Sequence, residues 1–160
     1  MWKSDQVRQK PTLSFDEAKL KGASYCAYQE RCQQEVRDKL YSLGLHQEDV
    51  ELLIAWLITE NFLNEERFAK SYAGGKFRIK KWGKIKIKLE LEKRKLSRYC
   101  VNKGLEEIDI KDYLDTLTSL ITQKKTSLTG KPPVVKNKLA RYAIGKGFEP
   151  NLVWSIINSL

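Results

Sequence analysis

The sequence predicts an all-α protein, an array of three tandem repeats of three helices each and about nine helices in all. Three observations carry this reading. When Gly44, Lys95 and Gly147 are placed in register, at steps of 51 and 52 residues, the apolar positions around them coincide. Val36, Ile87 and Leu139 fall eight residues before the anchor, and Leu40, Leu91 and Ala143 fall four before. Leu45, Leu96 and Phe148 follow it directly, Val50, Val101 and Val153 come six after, and Ile54, Leu105, Ile157 and then Leu57, Ile108, Leu160 complete the series. Such offsets describe a helix, a tight turn and a second helix. The turn chemistry agrees: glycine suits a left-handed residue just past a helix C-terminus because it has no Cβ to clash there. Composition makes a folded core expected, since 41% of the 160 residues are hydrophobic.

Each element then has its own local reason. Ser14 with Glu17 forms a capping box that opens the first helix. The second helix runs through Val36 and Leu40 to Gly44, and the third carries Val50, Ile54 and Leu57. Asn61 ends that helix in the left-handed conformation, and Asn64, with Leu63 stapled to Phe68, opens the next repeat. The run from Lys84 to Leu91 alternates with period two and in isolation reads as a strand, but the register makes it a helix with Ile87 and Leu91 inward. Ile85 and Leu89 then lie on a second face, either against a neighbouring repeat or exposed for a partner. Lys95 breaks the glycine pattern, which leaves the middle turn strained or differently shaped. Ser97 caps the following helix, Asp109 or Asp112 opens the third repeat, and Gly130, Pro132 and Pro133 break the helix around 129–133. Pro150 fits the first position of the last helix, where its missing N–H is not needed. Leu45–Val50, Leu96–Val101 and Phe148–Val153 are hydrophobic staples across the three turns. The organisation expected is an arm at 1–13 and repeats at 14–62, 63–109 and 110–160.

The net charge of +10 is unevenly placed. Residues 70–103 hold 13 basic and two acidic side chains, residues 11–69 six basic and eleven acidic, and residues 124–147 seven basic and none acidic. Clustering of this kind attracts polyanions, nucleic acid above all, whereas the plainer reading is that lysine-rich helices solvate their outer faces. Lys76, Arg78, Lys80, Lys81, Lys84, Lys86 and Lys88 are the strongest binding candidates, with Arg94, Lys95 and Arg98 continuing the set. Phe77 and Trp82 lie among them, as core residues or as platforms for unpaired bases. Tyr72, four residues after Phe68, belongs to an apolar face, and Trp56 and Trp154 read as packing residues.

Other chemistry is excluded by what is missing. Cys26, Cys32 and Cys100 form no C-x-x-C pair and His46 is the single histidine, so neither a zinc site nor a Cys–His nucleophile is expected, and the thiols are expected reduced. Glu65 and Glu66 follow the cap Asn64, where negative charge favours a helix N-terminus, so they need no catalytic role. No phosphate-binding or dinucleotide motif is present, and neither an enzyme nor a cofactor is expected. No apolar run reaches the roughly 20 residues of a membrane span, and the start lacks a signal peptide's apolar middle, so a soluble cytoplasmic chain is expected.

Asn61-Phe62-Leu63-Asn64-Glu65-Glu66-Arg67-Phe68-Ala69 resembles a signature of the RecX family, bacterial modulators of the RecA recombinase, with asparagine where glycine is usual. Trp82-Gly83 followed by Ile87, Glu90 and Leu91, and Val36, Leu40, Gly44 and Leu45 running into Val50 and Leu53, are similar to further segments of that family. The resemblance covers roughly residues 14–160. It implies an elongated, curved array of three-helix repeats and a non-enzymatic regulator of recombination, DNA repair and the SOS response. The expected partners are the RecA filament and the single-stranded DNA within it, with duplex DNA as a further option, and the chain is expected to be a monomer. Lodged in the filament groove, such a protein blocks extension, ATP hydrolysis and strand exchange. The alternative is a direct DNA-binding module using the helix-turn-helix-like pairs, although Gln47, Glu48 and Asp49, or Glu149, Pro150 and Asn151, suit major-groove entry poorly. A nuclease ranks third, for want of clustered carboxylates.

Overall fold

The computed structural model describes residues 13–160, so the expected arm at 1–13 lies almost wholly outside the described residues. Among the described residues there are nine α-helices and no strand: α1 (Phe15–Tyr28), α2 (Gln33–Ser42), α3 (Gln47–Thr59), α4 (Glu65–Lys80), α5 (Lys84–Lys93), α6 (Arg98–Glu106), α7 (Ile110–Thr126), α8 (Pro132–Gly145) and α9 (Pro150–Ser159). They pack in threes, α1 with α2 and α3, α4 with α5 and α6, and α7 with α8 and α9. The chain divides into two compact units, one ending at Asn64 and the other spanning Glu65–Leu160.

The caps explain the boundaries. The Ser14, Ser97 and Asp109 side chains accept from the backbone N–H of Glu17, Cys100 and Asp112 at 3.2, 3.2 and 3.0 Å, so Asp109 and not Asp112 opens α7. Pro132 and Pro133 occupy the first turn of α8 and start that helix, a correction to their expected role as breakers; the break itself is the segment 127–131. At the turns, Gly44, Lys95 and Gly147 have φ of 89°, 61° and 100°, and Asn61 has 61°. Each of these residues donates its N–H to the carbonyl three residues back, at 2.9 to 3.0 Å. The lysine turn therefore keeps the conformation of its glycine counterparts and carries a Cβ where it costs about 1 kcal/mol.

The register holds throughout the core. All its positions are buried except Leu105, half-buried, and Leu160, 49% exposed. Leu105 is displaced because α6 turns Gly104 toward α4, where a Cβ would lie 2.7 Å from the Ala69 carbonyl oxygen. The first unit closes around Ala18, Val36, Leu40, Leu53 and Leu57, with Leu63 buried in the same cluster. In the second unit an aromatic centre forms from Phe77, Tyr113 and Phe148, with centroids 5.8 and 5.0 Å apart. Phe77 is thus a core residue. The run at 84–91 is helical, with Ile87 and Leu91 fully buried and Ile85 and Leu89 exposed.

Candidate nucleic-acid interface

The candidate cations come from the end of α4, the turn after it, α5 and the start of α6. Lys76, Arg78 and Lys80 are on the last turns of α4, where positive charge suits the helix C-terminus. Lys81 has φ 58°, a left-handed position that no sequence signal marked and that turns the chain into α5. Lys84, Lys86 and Lys88 lie on α5, Arg94 caps its end, Lys95 is the left-handed residue, and Arg98 begins α6.

Charge pairing sorts this set. Lys88 pairs with Glu92 at 3.9 Å and Arg94 with Glu90 at 3.4 Å. Lys93 also binds Glu90, at 3.0 Å, and this bond, with Arg94 behind it, holds the Glu90 carboxyl below its ordinary range. Among the described residues, the other eight candidates make no ion pair, so their charge is left for solvent or a ligand. Arg78 folds back, its guanidinium lying over Gly74. Trp82 is half-buried between Lys76 and Lys86, whose ammonium nitrogens stand 5.0 and 4.5 Å from the ring centroid. Tyr72 is half-buried too, with Lys76 and Arg94 over its ring. Beside it, Ser71, Tyr72, Gly75, Lys76, Ile79 and Lys80 line a largely apolar depression of about 230 Å³ on the outer face of α4.

The first turn of α5 contains lysines and no acidic residue of its own, a combination that opposes the helix dipole. Three amides at this end are nonetheless engaged within the unit. Gly83 and Ile85 donate to the carbonyls of Lys146 and Gly147 at 2.8 and 3.0 Å, and Lys84 donates its N–H to the Tyr113 hydroxyl at 3.0 Å. That hydroxyl in turn donates to the Glu149 carboxylate at 2.6 Å, and burial, reinforced by this bond, raises its pKa far above the ordinary tyrosine range. The backbones meet so closely that a Cβ on Gly83 would overlap Gly147 and Phe148, and one on Gly147 would overlap Lys86. The Trp82-Gly83 pair therefore has a physical reason, a helix start clamped onto the next turn. Phosphates approaching α5 meet lysine side chains, because these amides are already engaged.

The remaining candidates stay structural. Cys26 and Cys32 are buried and Cys100 is half-buried, and His46 precedes α3 without a capping bond from its side chain. Trp56 is half-buried and stacks on Phe62 at 5.8 Å, and Trp154 is half-buried on α9. Glu66 pairs with Lys70 at 3.4 Å in the first turns of α4. Among the described residues no cluster of His, Cys, Asp or Glu could hold a metal ion, and no helix is long and apolar enough to cross a membrane.

Together the helices define a tandem three-helix-repeat protein with a cation-rich second repeat. Residues 64–105 match the family model described as RecX, second three-helix domain. The regulatory protein RecX of Clostridium perfringens (strain 13 / Type A) is 32% identical over 101 residues, 63% of this chain and 47% of that protein. Its namesake from Clostridium tetani is 29% identical over 133 residues, 81% of this chain and 61% of the relative. The chain spans about half the length of the curated relatives it matches. Among solved structures, the crystal structure of RecX from Lactobacillus salivarius superposes with a TM-score of 0.81 at 25% identity, covering 91% of this chain and 96% of that one. A second, described as the crystal structure of regulatory protein RecX, gives a TM-score of 0.77 at 17% identity and supports the fold, covering 91% and 74%. The chain is thus similar to the RecX family over its second repeat, and it shares its fold with solved RecX structures.

Proposed function

We propose that the protein is a non-enzymatic, cytoplasmic regulator of homologous recombination that binds the RecA filament on single-stranded DNA as a monomer and inhibits its extension, ATPase and strand exchange. The three repeats, 14–62, 63–109 and 110–160, are its working units. The observation that carries the reading is the set of eight cations without carboxylate partners, gathered on one segment of a chain similar to this family. A filament on DNA offers phosphates and protein together, and a surface with unneutralised charge gains most from the first, by releasing counterions. The acidic first repeat remains for contacts with protein. Reading duplex bases directly is less favoured, because α3 begins Gln47-Glu48-Asp49 and α9 begins at Pro150.

The test is a titration of RecA's single-strand-dependent ATPase at fixed salt. Inhibition at stoichiometric or lower ratios is expected; undiminished hydrolysis at a molar excess would dispose of the proposal.

A further inference from the structure

The second unit contains three half-buried rings, Tyr72, Trp82 and Tyr142, that lie between cations in series. Arg94 and Lys76 flank Tyr72, at 4.7 and 5.5 Å from its centroid, and Lys76 and Lys86 flank Trp82. Lys86 abuts Gly147 through its Cβ, and the preceding residue, Lys146, lies 5.8 Å from the Tyr142 ring. Lys124, from the last turn of α7, completes the row at 5.1 Å from Tyr142. The row thus passes from α4 and α5 onto α8 and α7 through the backbone junction where Gly83 is bonded to Lys146. Its far end lies in 124–147, a stretch with seven basic and no acidic residues. Along the whole row, among the described residues, the carboxylate paired with a member is Glu90, on Arg94.

We propose that this row is a binding track for single-stranded nucleic acid that continues from the second repeat onto the third, with Tyr142 as a stacking platform there. Chemistry selects that occupant. Every base of a single strand has a π-face to stack on a ring, and every linkage has a phosphate for a neighbouring cation, so alternating rings and cations match its repeat. Duplex DNA keeps its bases stacked on each other and uses only the cations. As a base takes a ring face, the lysine that rests there is released toward the adjoining phosphate. The proposal depends on the reading above only in taking DNA as a contact, and it needs no recombinase.

The test is a fluorescence-anisotropy titration of labelled oligo-dT by the full chain, alone, with duplex of equal phosphate number as control. Tyr142→Ala is expected to weaken oligo-dT binding about fivefold or more, the lower end of base-stacking effects, and to leave duplex binding within about twofold. Tyr142→Phe retains the ring and is expected to bind as the unaltered chain does. Because Tyr142 is half-buried, a second variant guards against misfolding: Lys124→Gln with Lys146→Gln should reduce the single-strand salt slope by about 1.4, the value for two phosphate contacts. Unchanged oligo-dT binding by folded Tyr142→Ala, an unchanged slope in the double variant, or equal losses on duplex and single strand would each overturn the track. Loss of RecA inhibition in Tyr142→Ala with oligo-dT binding intact would assign the ring to a protein contact and also overturn it. Inhibition of RecA by a chain whose oligo-dT binding ignores Tyr142 leaves the regulator standing and removes the track; Tyr142-dependent binding without inhibition does the reverse.

Discussion

The first and second units both lay cations over rings, yet they differ in what surrounds those cations. In the first unit Arg31 sits 3.7 Å from the Tyr25 centroid and also pairs with Glu35, and Arg37 donates to Glu51 at 2.8 Å. Residues 11–69 have nearly twice as many acids as bases, so a cation there finds a carboxylate within its own fold. In the second unit residues 70–103 hold 13 basic side chains against two acidic ones, and Glu90 is shared between Lys93 and Arg94. A cation–ring contact is therefore a common packing device and says little about binding by itself. The informative quantity is charge left unneutralised after the internal pairs have formed, because only that charge releases counterions on meeting a polyanion. The turns give a parallel contrast: Gly44 and Gly147 are glycines in left-handed geometry, whereas Lys95 holds the same geometry against its Cβ.

The largest expected effect lies at the junction of α5 with the turn after α8, in the second unit. Gly147→Ala adds a Cβ that overlaps Lys86 at φ 100°, and a loss of about 3 to 5 kcal/mol in unfolding free energy is expected in urea denaturation. Gly75→Ala, in the interior of α4 with nothing within 4 Å of the new Cβ, should instead stabilise by about 0.5 to 1 kcal/mol. Equal responses at the two sites would mean that the clamp between α5 and the turn after α8 is not rigid.

Next comes charge. Lys84→Glu with Lys86→Glu should weaken single-strand binding and lower its salt slope by about 1.4, whereas Lys19→Glu with Lys21→Glu in the acidic unit should leave the slope as it was. If both pairs act alike, net charge alone decides binding and the contrast between the units is lost. At the turns, Lys95→Gly should raise stability by about 0.5 to 1 kcal/mol and Gly44→Ala lower it by about 1 kcal/mol, read as shifts of the thermal midpoint. The smallest effect is on pH. The hydrogen bond from Arg37 holds the Glu51 carboxyl below its ordinary range. A depressed carboxyl contributes stability that is present above its unfolded pKa and is lost as pH falls through its folded one. Half-exposed as it is, the pair should account for about 0.5 kcal/mol, and Glu51→Gln should remove that part of the acid limb in denaturation profiles from pH 6 to 3.

Much of this was legible in the chain, and the reasons for the rest are physical. The spacing of Val36, Ile87 and Leu139 and their companions located the helices, since periodic burial leaves a periodic trace. Asn61 could be named in advance as left-handed, but Lys81 could not, because lysine has no preference for that conformation and the bend is imposed from outside. The role of Tyr113 depends on Lys84, 29 residues away, and Glu149, 36 residues away, and no local pattern links them. The reason for Gly83 lay in a backbone from another repeat. Pro132 and Pro133 were misread because a proline pair marks a helix start as readily as an interruption. In the basic segment the residue types were evident, while the pairing that sets Lys88 and Arg94 apart needed coordinates. Tyr142 had a signal that passed unused, a ring within a stretch of seven bases and no acid.

The most direct test of the account compares RecA's single-strand-dependent ATPase in the presence of the unaltered chain and of the Lys84→Glu, Lys86→Glu variant, at matched folding and increasing salt. The unaltered chain is predicted to inhibit at or below stoichiometric ratios and the variant to need a several-fold excess, with the gap narrowing as salt screens the cations. Identical inhibition by both proteins at every salt concentration would contradict the assignment of the second repeat to the DNA.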